Sequence, residues 1–268
     1  MFEKMLTQDT KIYQFSSYHE NAKEQYQKDF NIKNISHFYN HWIKINEKYY
    51  YYKYQSATFQ LNLLNELIGE ALCDYMKLNT VHYMIGYDID MECPTLLSET
   101  FRKKGKEYVT IMELPYLKYI DTYDIFDELA QLNDKKIQVQ FLEQLKKMIV
   151  LDFYMGQTDC HEDNYLFEKN DDGYLLAPLF DFESSFHHFN TYGNNFFACD
   201  LWNSEQQKMI YQDETFQKLF EQVFHINMKK ILNQIEMKNH LKIPKEIKDI
   251  YIDYQQEMQK KMKQKKLI

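Results

Sequence analysis

The hydrophobic and polar positions of this chain follow a helical repeat in two long segments. Residues 60–77 and residues 136–155 both carry apolar side chains three or four positions apart. The apolar positions are Leu61, Leu64, Ile68 and Leu72 in the first segment, and Leu142, Leu145, Ile149 and Phe153 in the second. Each pattern predicts an amphipathic helix. Gly156 is placed to end the second helix as a C-terminal cap.

Segments typical of β-structure lie around these helices. Residues 48–54 form a dense run of tyrosines, which favours a strand. Further strands are predicted at 81–87, 95–101 and 107–113, with Gly105 at a turn. A β-hairpin is predicted at 165–167 and 174–176, because the Asn-Asp-Asp-Gly stretch at 170–173 is a strong turn signal.

From about Asp213 onward the pattern is helical again and ends in a helix over residues 244–264. The order of elements predicts an α+β fold in two lobes. A mixed α/β N-terminal lobe would span residues 1–103, and a mainly helical C-terminal lobe with the hairpin would span residues 104–268. The chain has enough residues for one large domain or two modest lobes.

Composition excludes several classes of protein. The formal net charge of −8 disfavours direct binding to nucleic acid, since such domains are usually basic. The four cysteines lie far apart and form no CxxC pair, so we expect no structural zinc site or disulfide framework. No run approaches the ~20 apolar residues of a membrane span. We therefore expect a soluble cytoplasmic protein, with the lysine-rich residues 260–266 on a solvated helix face.

The candidate chemistry surrounds the predicted hairpin. Asp159 and Asn164 lie five positions apart in the loop before it, and Asp181 follows its second strand. Phosphoryl transfer needs a carboxylate that accepts the proton of the attacking hydroxyl, and oxygen ligands that hold Mg²⁺ against the nucleotide phosphates. Asp159 is placed for the first task, and Asn164 and Asp181 for the second. The protein-kinase catalytic loop and DFG segment have the same Asp-to-Asn spacing and the same later Asp.

His161 lies inside this loop and allows other interpretations. Its imidazole either takes part in proton transfer or holds the loop by hydrogen bonds. A zinc site using Asp159, His161 and Asp181 is compatible with the ligand types. However, no other His or Cys has a clear spacing relation to these three residues, and His187 and His188 are adjacent rather than helically paired.

The segment 156–164, together with Ala-Pro-Leu-Phe-Asp at 177–181, resembles the catalytic and metal-binding segments of the HipA-like Ser/Thr kinases. Residues 65–83 resemble the N-lobe helix and following strand of that family. The resemblance covers roughly residues 48 to 190. It implies a bilobed protein-kinase-like fold, ATP and Mg²⁺ as cofactors, Asp159 as the base, and Asn164 and Asp181 as the metal ligands.

The same resemblance assigns Lys53 to the nucleotide phosphates and Glu66 as its helix partner, although Glu70 lies one turn further and is an alternative. It places the adenine-binding linker at residues 99–101, from Glu99 to Phe101. Residues 112–114 are a rival, because they also follow a predicted strand. Lysine must carry much of the phosphate binding, because Arg102 is the single arginine among the 32 basic residues and the others are lysines.

Two features depart from a kinase pattern. The chain has no glycine before Gly69, whereas kinase phosphate loops use glycine so that backbone N–H groups reach the phosphates. Asp163 stands where some members of the family have a basic residue.

Ser36 lies in the segment where the phosphate loop is expected, and phosphorylation there would repel ATP.

Three functions follow from these observations. The first is a Ser/Thr protein kinase that acts on a protein substrate or on itself and can pair with an antitoxin-like protein. The second is a small-molecule phosphotransferase similar to the aminoglycoside and choline kinases, whose loop has the same Asp-x-His-x-x-Asn arrangement. The third is a pseudokinase or binding module, which the absence of a glycine loop favours.

Overall fold

The computed structural model describes residues 1–32, 41–55, 61–110, 113, 135–157, 164–186, 210 and 212–268. Within these ranges it contains two β-sheets, six α-helices and a 3-10 helix at Phe2–Met5. The strands are β1 (Tyr13–Phe15), β2 (Trp42–Ile45), β3 (Lys48–Tyr54), β4 (Tyr83–Asp88), β5 (Cys93–Glu99), β6 (Glu107–Thr110), β7 (Leu166–Asn170) and β8 (Gly173–Leu176). The helices are α1 (Lys23–Phe30), α2 (Asn62–Met76), α3 (Lys135–Met155), α4 (Glu214–Phe224), α5 (Met228–Asn239) and α6 (Lys245–Gln264).

The larger sheet has the strand order β1-β4-β5-β3-β2. Strand β1 runs parallel to β4, and the other neighbours are antiparallel. Side chains alternate between the two faces of a strand, so Tyr50, Tyr52 and Tyr54 pack on one face of β3. Lys53 lies on the opposite face, paired in register with Leu96 of β5, which belongs to the main core.

Helix α2 is buried on almost every side, and the amphipathic pattern predicted for it was only partly right. Leu64, Ile68 and Leu72 are buried as expected, but so are the polar residues Asn65 and Glu66. The reason is that α2 contacts β4 on one side and α3 and α5 on others. Residues 62–70 of this helix have no solvent-exposed side chain, so their polar groups need partners inside the protein.

The predicted hairpin is confirmed. Strands β7 and β8 pair antiparallel around the turn at Asp171 and Asp172, and β6 adds a third strand beside β7. Helix α3 ends at Met155, and Gly156 follows with φ of +58°, as expected for a C-terminal cap. A Cβ atom at Gly156 would lie 2.6 Å from the hydroxyl of Tyr254, so glycine is required for packing as well as for conformation.

The C-terminal helices pack against α2 and α3. Asp213 caps α4 by accepting hydrogen bonds from the backbone N–H groups of Thr215 and Phe216, and Asn227 caps α5 by accepting one from Lys230. Helix α4 contacts α3, α5 contacts α2, and α6 contacts α4 and α5. None of the helices in the described ranges combines the length and apolar character that crossing a membrane requires.

The mixed α/β composition agrees with the predicted fold class, whereas the division into lobes at residues 103 and 104 stays a prediction. The sequence patterns did not indicate β1, β2 or α1. Strand β1 has three residues and β2 has four, which is too short for a clear alternation. Helix α1 has eight residues, of which only Tyr26 and Phe30 are apolar, so its apolar repeat is too short to predict a helix. The Tyr26 ring stacks on Trp42 of β2 at a centroid distance of 3.7 Å.

Candidate active site

Lys53 and Glu66 form a buried ion pair between the large sheet and helix α2. The Lys53 ammonium donates to Glu66 Oε1 at 2.5 Å, and the side chains are only 8% and 0% exposed. Strand alternation turns Lys53 toward the helix, and Glu66 lies on the facing side of α2. The structure therefore brings together the two residues that the sequence paired, while their role toward phosphates stays a prediction.

Both carboxylate oxygens of Glu66 have partners. Besides the bond from Lys53, Oε2 accepts from the Tyr83 hydroxyl at 2.6 Å and from the backbone N–H of Phe182 at 3.0 Å. These bonds hold Glu66 in one orientation, so Lys53 is held as well. The alternative partner, Glu70, faces another group: its Oε1 lies 2.8 Å from His82 Nδ1 and 2.7 Å from Lys238 Nζ.

Asp181, which follows the second strand of the hairpin, contacts the same ammonium. Its Oδ1 accepts a short hydrogen bond from Lys53 Nζ, and the residue is 2% exposed. Its backbone has φ of +70°, a left-handed conformation that is uncommon outside glycine. The Gln157 side chain donates to the Asp181 carbonyl at 2.7 Å, which links the end of α3 to this position. A strained and braced backbone of this kind is typical of a functional position.

The residues after Asp181 are fixed to α2 by packing and hydrogen bonds. The Phe182 ring lies against Gly69, where a Cβ atom would be only 2.3 Å from the ring carbons. The Asn65 amide donates to the carbonyls of Glu183 and Ser185, both at 2.9 Å. We call residues 181–186 the Asp181 segment. Both the Phe182 ring and the backbone carbonyls of this segment are held by α2.

Glu183 adds a third carboxylate to the site. Its Oε2 lies 3.4 Å from Lys53 Nζ, and its side chain is 35% exposed, so it approaches the ammonium from the solvent side. One oxygen from each of Glu66, Asp181 and Glu183 lies within 4.8 Å of the others. Sequence reasoning gave Glu183 no role in the site, although it stands two positions after a predicted metal ligand.

Burial and the neighbouring charges shift the pKa values of Lys53 and Glu66. Burial by itself would lower the pKa of Lys53, but the carboxylates of Asp181, Glu66 and Glu183 outweigh burial and hold the pKa well above its ordinary value. The side chain is therefore an ammonium at neutral pH. Burial raises the pKa of Glu66, against the opposing effect of Lys53.

The remaining predicted residues are distributed as follows. Asn164 is buried at the start of the hairpin, just before β7. Glu99 is the last residue of β5; its side chain bonds Lys48 at 2.9 Å and lies on the face of the sheet opposite Lys53, so only its backbone remains a candidate for contacting adenine. Phe101 stacks on Phe180, the residue before Asp181, at a centroid distance of 5.7 Å.

Several predictions fall outside the described residues. They concern the base Asp159, its neighbour His161, the acidic Asp163 and the loop serine Ser36. Of the rival linker at residues 112–114, only Glu113 is described, and it accepts a hydrogen bond from the backbone N–H of Thr110 at 2.8 Å. The roles given to these residues stay predictions.

The fold is similar to that of two proteins of known structure. The Helicobacter pylori proinflammatory kinase CtkA matches with a TM-score of 0.55 over 82% of this chain and 90% of its own, at 14% sequence identity. HipA of Shewanella oneidensis MR-1, solved as a toxin–antitoxin complex with HipB and operator DNA, matches with a TM-score of 0.53 over 80% of this chain, at 12% identity. This chain spans 58% of that HipA chain.

These likenesses show that the chain has a fold similar to those of the kinase CtkA and of HipA. No protein-family model matches the chain, and no curated protein matches it in sequence. At 12–14% identity the likeness concerns the fold, and the function has to be argued from the site.

Proposed function

We propose that this chain is an ATP- and Mg²⁺-dependent phosphotransferase, and specifically a HipA-like Ser/Thr protein kinase. The observation that carries the proposal is the buried ammonium of Lys53, bonded to Glu66 of α2 and to Asp181 after the hairpin. A fixed positive charge between a strand, a helix and a metal-binding carboxylate is what a kinase fold uses to position nucleotide phosphates.

The residues present fit a magnesium ion. Asp181 Oδ2 is buried and has no hydrogen-bond partner among the described residues, and Mg²⁺ prefers oxygen ligands of this kind. Asp181 and Asn164 would hold the ion, which when bound would neutralise charge on the phosphates. Lys53 orients the phosphates, Glu66 keeps Lys53 in place, and Asp159 accepts the proton of the acceptor hydroxyl.

The acceptor in this proposal is a Ser or Thr hydroxyl of a protein, or of the chain itself. The fold likeness to CtkA, described as a kinase, and to a HipA solved with HipB supports a protein kinase with an antitoxin-like partner. The net charge of −8 argues that any contact with DNA would pass through such a partner.

The acceptor is tested by following the label from γ-labelled ATP. The pure protein is incubated with Mg²⁺ and labelled ATP, alone and then with a cell lysate, and the products are separated into protein and small molecules. We expect label on Ser or Thr of a protein band. Label confined to small cationic metabolites would favour the aminoglycoside and choline kinase alternative. A folded protein that binds Mg-ATP but transfers no label would contradict a kinase and favour a binding module.

A further inference from the structure

Lys53 occupies a point that carboxylate oxygens surround. Its ammonium contacts Glu66, Asp181 and Glu183, and the three carboxylates each place one oxygen within 4.8 Å of the others. Three carboxylate oxygens around one point are a donor set that hard divalent cations also take. In this structure the positive charge at that point is the lysine.

Asp181 provides independent evidence that the point also suits a metal ion. The residue is 2% exposed, and its Oδ2 has no hydrogen-bond partner among the described residues. A buried carboxylate oxygen without a donor is unfavourable, and each such atom in a native protein calls for an explanation. Ligation of a cation would satisfy it. Glu183 lies on the solvent side of the cluster, where an entering ion would arrive.

We propose that Lys53 is the resident cation of a carboxylate site, and that Asp181 and Glu183 bind Mg²⁺ or Mn²⁺ when the ammonium is withdrawn. The inference rests on the proposed function in one respect: the attraction of Lys53 to nucleotide phosphates is what withdraws the ammonium. Glu183 then becomes a metal ligand in addition to Asn164 and Asp181. The exchange keeps the charge of the buried cluster compensated in both states.

The site can be tested without nucleotide by removing the ammonium. In Lys53→Met, a side chain of similar length but without charge, the carboxylates have lost their cation. Binding of Mn²⁺ to the nucleotide-free protein is measured from the electron paramagnetic resonance signal of free Mn²⁺. We expect Lys53→Met to bind one Mn²⁺ at least about tenfold more tightly than the unaltered protein, as the net negative charge of the site rises. Adding Glu183→Gln should remove most of that gain.

A second variant guards against loss of the fold. Lys53→Met leaves Glu66 buried without a counterion, which can destabilise the protein. Lys53→Met combined with Glu66→Gln removes both charges, and it should still bind Mn²⁺ more tightly than the unaltered protein through Asp181 and Glu183. Circular dichroism checks the fold of each variant, and Mn²⁺ should raise the melting temperature of both.

The inference is overturned if neither variant binds Mn²⁺ more tightly than the unaltered protein, or if Glu183→Gln makes no difference to them. These results are separate from the proposed function. Tight Mn²⁺ binding by the variants of a protein that ignores Mg-ATP would support the cation site and count against the phosphotransferase. Binding of Mg-ATP without a Glu183-dependent Mn²⁺ site would do the reverse.

Discussion

At the scale of single residues, the site depends on one lysine. Lys53 is the only buried lysine in the described part of the chain. Burying an ammonium is unfavourable unless it is paired and hydrogen-bonded, and here Glu66 and Asp181 satisfy that condition. Charged groups that are buried and mutually perturbed are more common at functional sites than elsewhere, which is why this cluster carries the proposed function.

The proposed role of Asp181 as a metal ligand leads to the first prediction. In the unaltered protein, ATP with Mg²⁺ should raise the melting temperature more than ATP alone. Asp181→Ala should abolish that difference, because the carboxylate that shares the ion with the nucleotide is gone. Asp171→Ala, in the exposed hairpin turn, is the matched control and should respond like the unaltered protein. An undiminished effect of Mg²⁺ in Asp181→Ala would exclude this role.

Asp152 gives a prediction about pH. This buried residue of α3 accepts a hydrogen bond from the Tyr165 hydroxyl at 2.7 Å, yet burial raises its pKa to about 7. Its carboxyl ionises at lower pH in the unfolded chain than in the folded protein, so the folded state loses stability as pH rises from about 4 to about 7. Asp152→Asn should therefore raise the free energy of unfolding by up to about 4 kcal/mol more at pH 8 than at pH 4.

Denaturant unfolding at the two pH values measures this difference. Asp171→Asn serves as the control, since residue 171 is exposed, and it should show no comparable change with pH. Equal effects of Asp152→Asn at both pH values would mean that folding does not raise the pKa of Asp152.

The sequence predicted part of the site at this scale. Asp181 and Asn164 stand out by their places before and after a hairpin, and the resemblance to kinases singled out Lys53 and Glu66. It did not reveal Glu183, Tyr83 or Gln157 as parts of the site. Their contacts join residues far apart in the chain, and no local pattern announces which tyrosine or glutamine will face a buried carboxylate.

At the scale of elements, helix α2 organises the site. It carries Glu66, which bonds Lys53, and Asn65, which bonds the backbone of the Asp181 segment. It also carries Gly69, against which Phe182 packs. One helix therefore positions both Lys53, which is proposed to bind phosphate, and the proposed metal-binding segment, so a shift of α2 would disturb both at once.

Gly69→Ala tests this arrangement. In an open helix the change would stabilise by about 1 kcal/mol, because alanine has the better helix propensity. Here the new Cβ would lie 2.3 Å from the Phe182 ring, so we expect a net loss of about 1–3 kcal/mol in unfolding free energy and weaker binding of Mg-ATP. Adding Phe182→Leu should recover part of both losses. If Gly69→Ala stabilises the protein and leaves its nucleotide affinity unchanged, the contact between Gly69 and Phe182 does not position the site.

The elements themselves were predictable where their signals are local. The hairpin has an Asn-Asp-Asp-Gly turn, and Gly156 ends α3, so both were predicted correctly. Helix α2 was predicted as a helix but not as a buried one, because its enclosure by β4, α3 and α5 is a tertiary property. The face of α3 was slightly misplaced: Phe141 is fully buried, whereas Leu142 is only partly so.

At the scale of the whole molecule, the C-terminal helix contacts the Asp181 segment in two ways: its Tyr251 and Tyr254 rings pack edge-on against Phe186, and a hydrogen bond reaches the segment through Asn65. The Tyr251 hydroxyl of α6 donates to Asn65 Oδ1 at 2.6 Å, and the Asn65 amide in turn bonds the carbonyls of Glu183 and Ser185. Helix α6, which begins almost 200 residues after Lys53, thus helps to orient the Asp181 segment.

Tyr251→Phe removes only that hydroxyl. It should lower the unfolding free energy by about 1 kcal/mol, since Asn65 Oδ1 is left buried without a donor, and it should weaken Mg-ATP binding. Tyr49→Phe is the control, because it removes a partly buried hydroxyl that donates to Asp29 of α1 at 2.8 Å. The control should lose similar stability but keep its affinity for nucleotide. If both variants bind Mg-ATP alike, this hydrogen bond has no influence on nucleotide binding.

The rate of label transfer from γ-labelled ATP tests whether this protein transfers phosphate with Asp159 as the base. Asp159→Asn should bind Mg-ATP as the unaltered protein does but transfer ~10²–10⁴-fold more slowly, because the group that accepts the hydroxyl proton is lost. Asp163→Asn, a carboxylate of the same loop, should keep most of the activity. If Asp159→Asn keeps more than about a tenth of the rate, Asp159 is not the base. If the unaltered protein binds Mg-ATP but transfers no label, it is not a phosphotransferase.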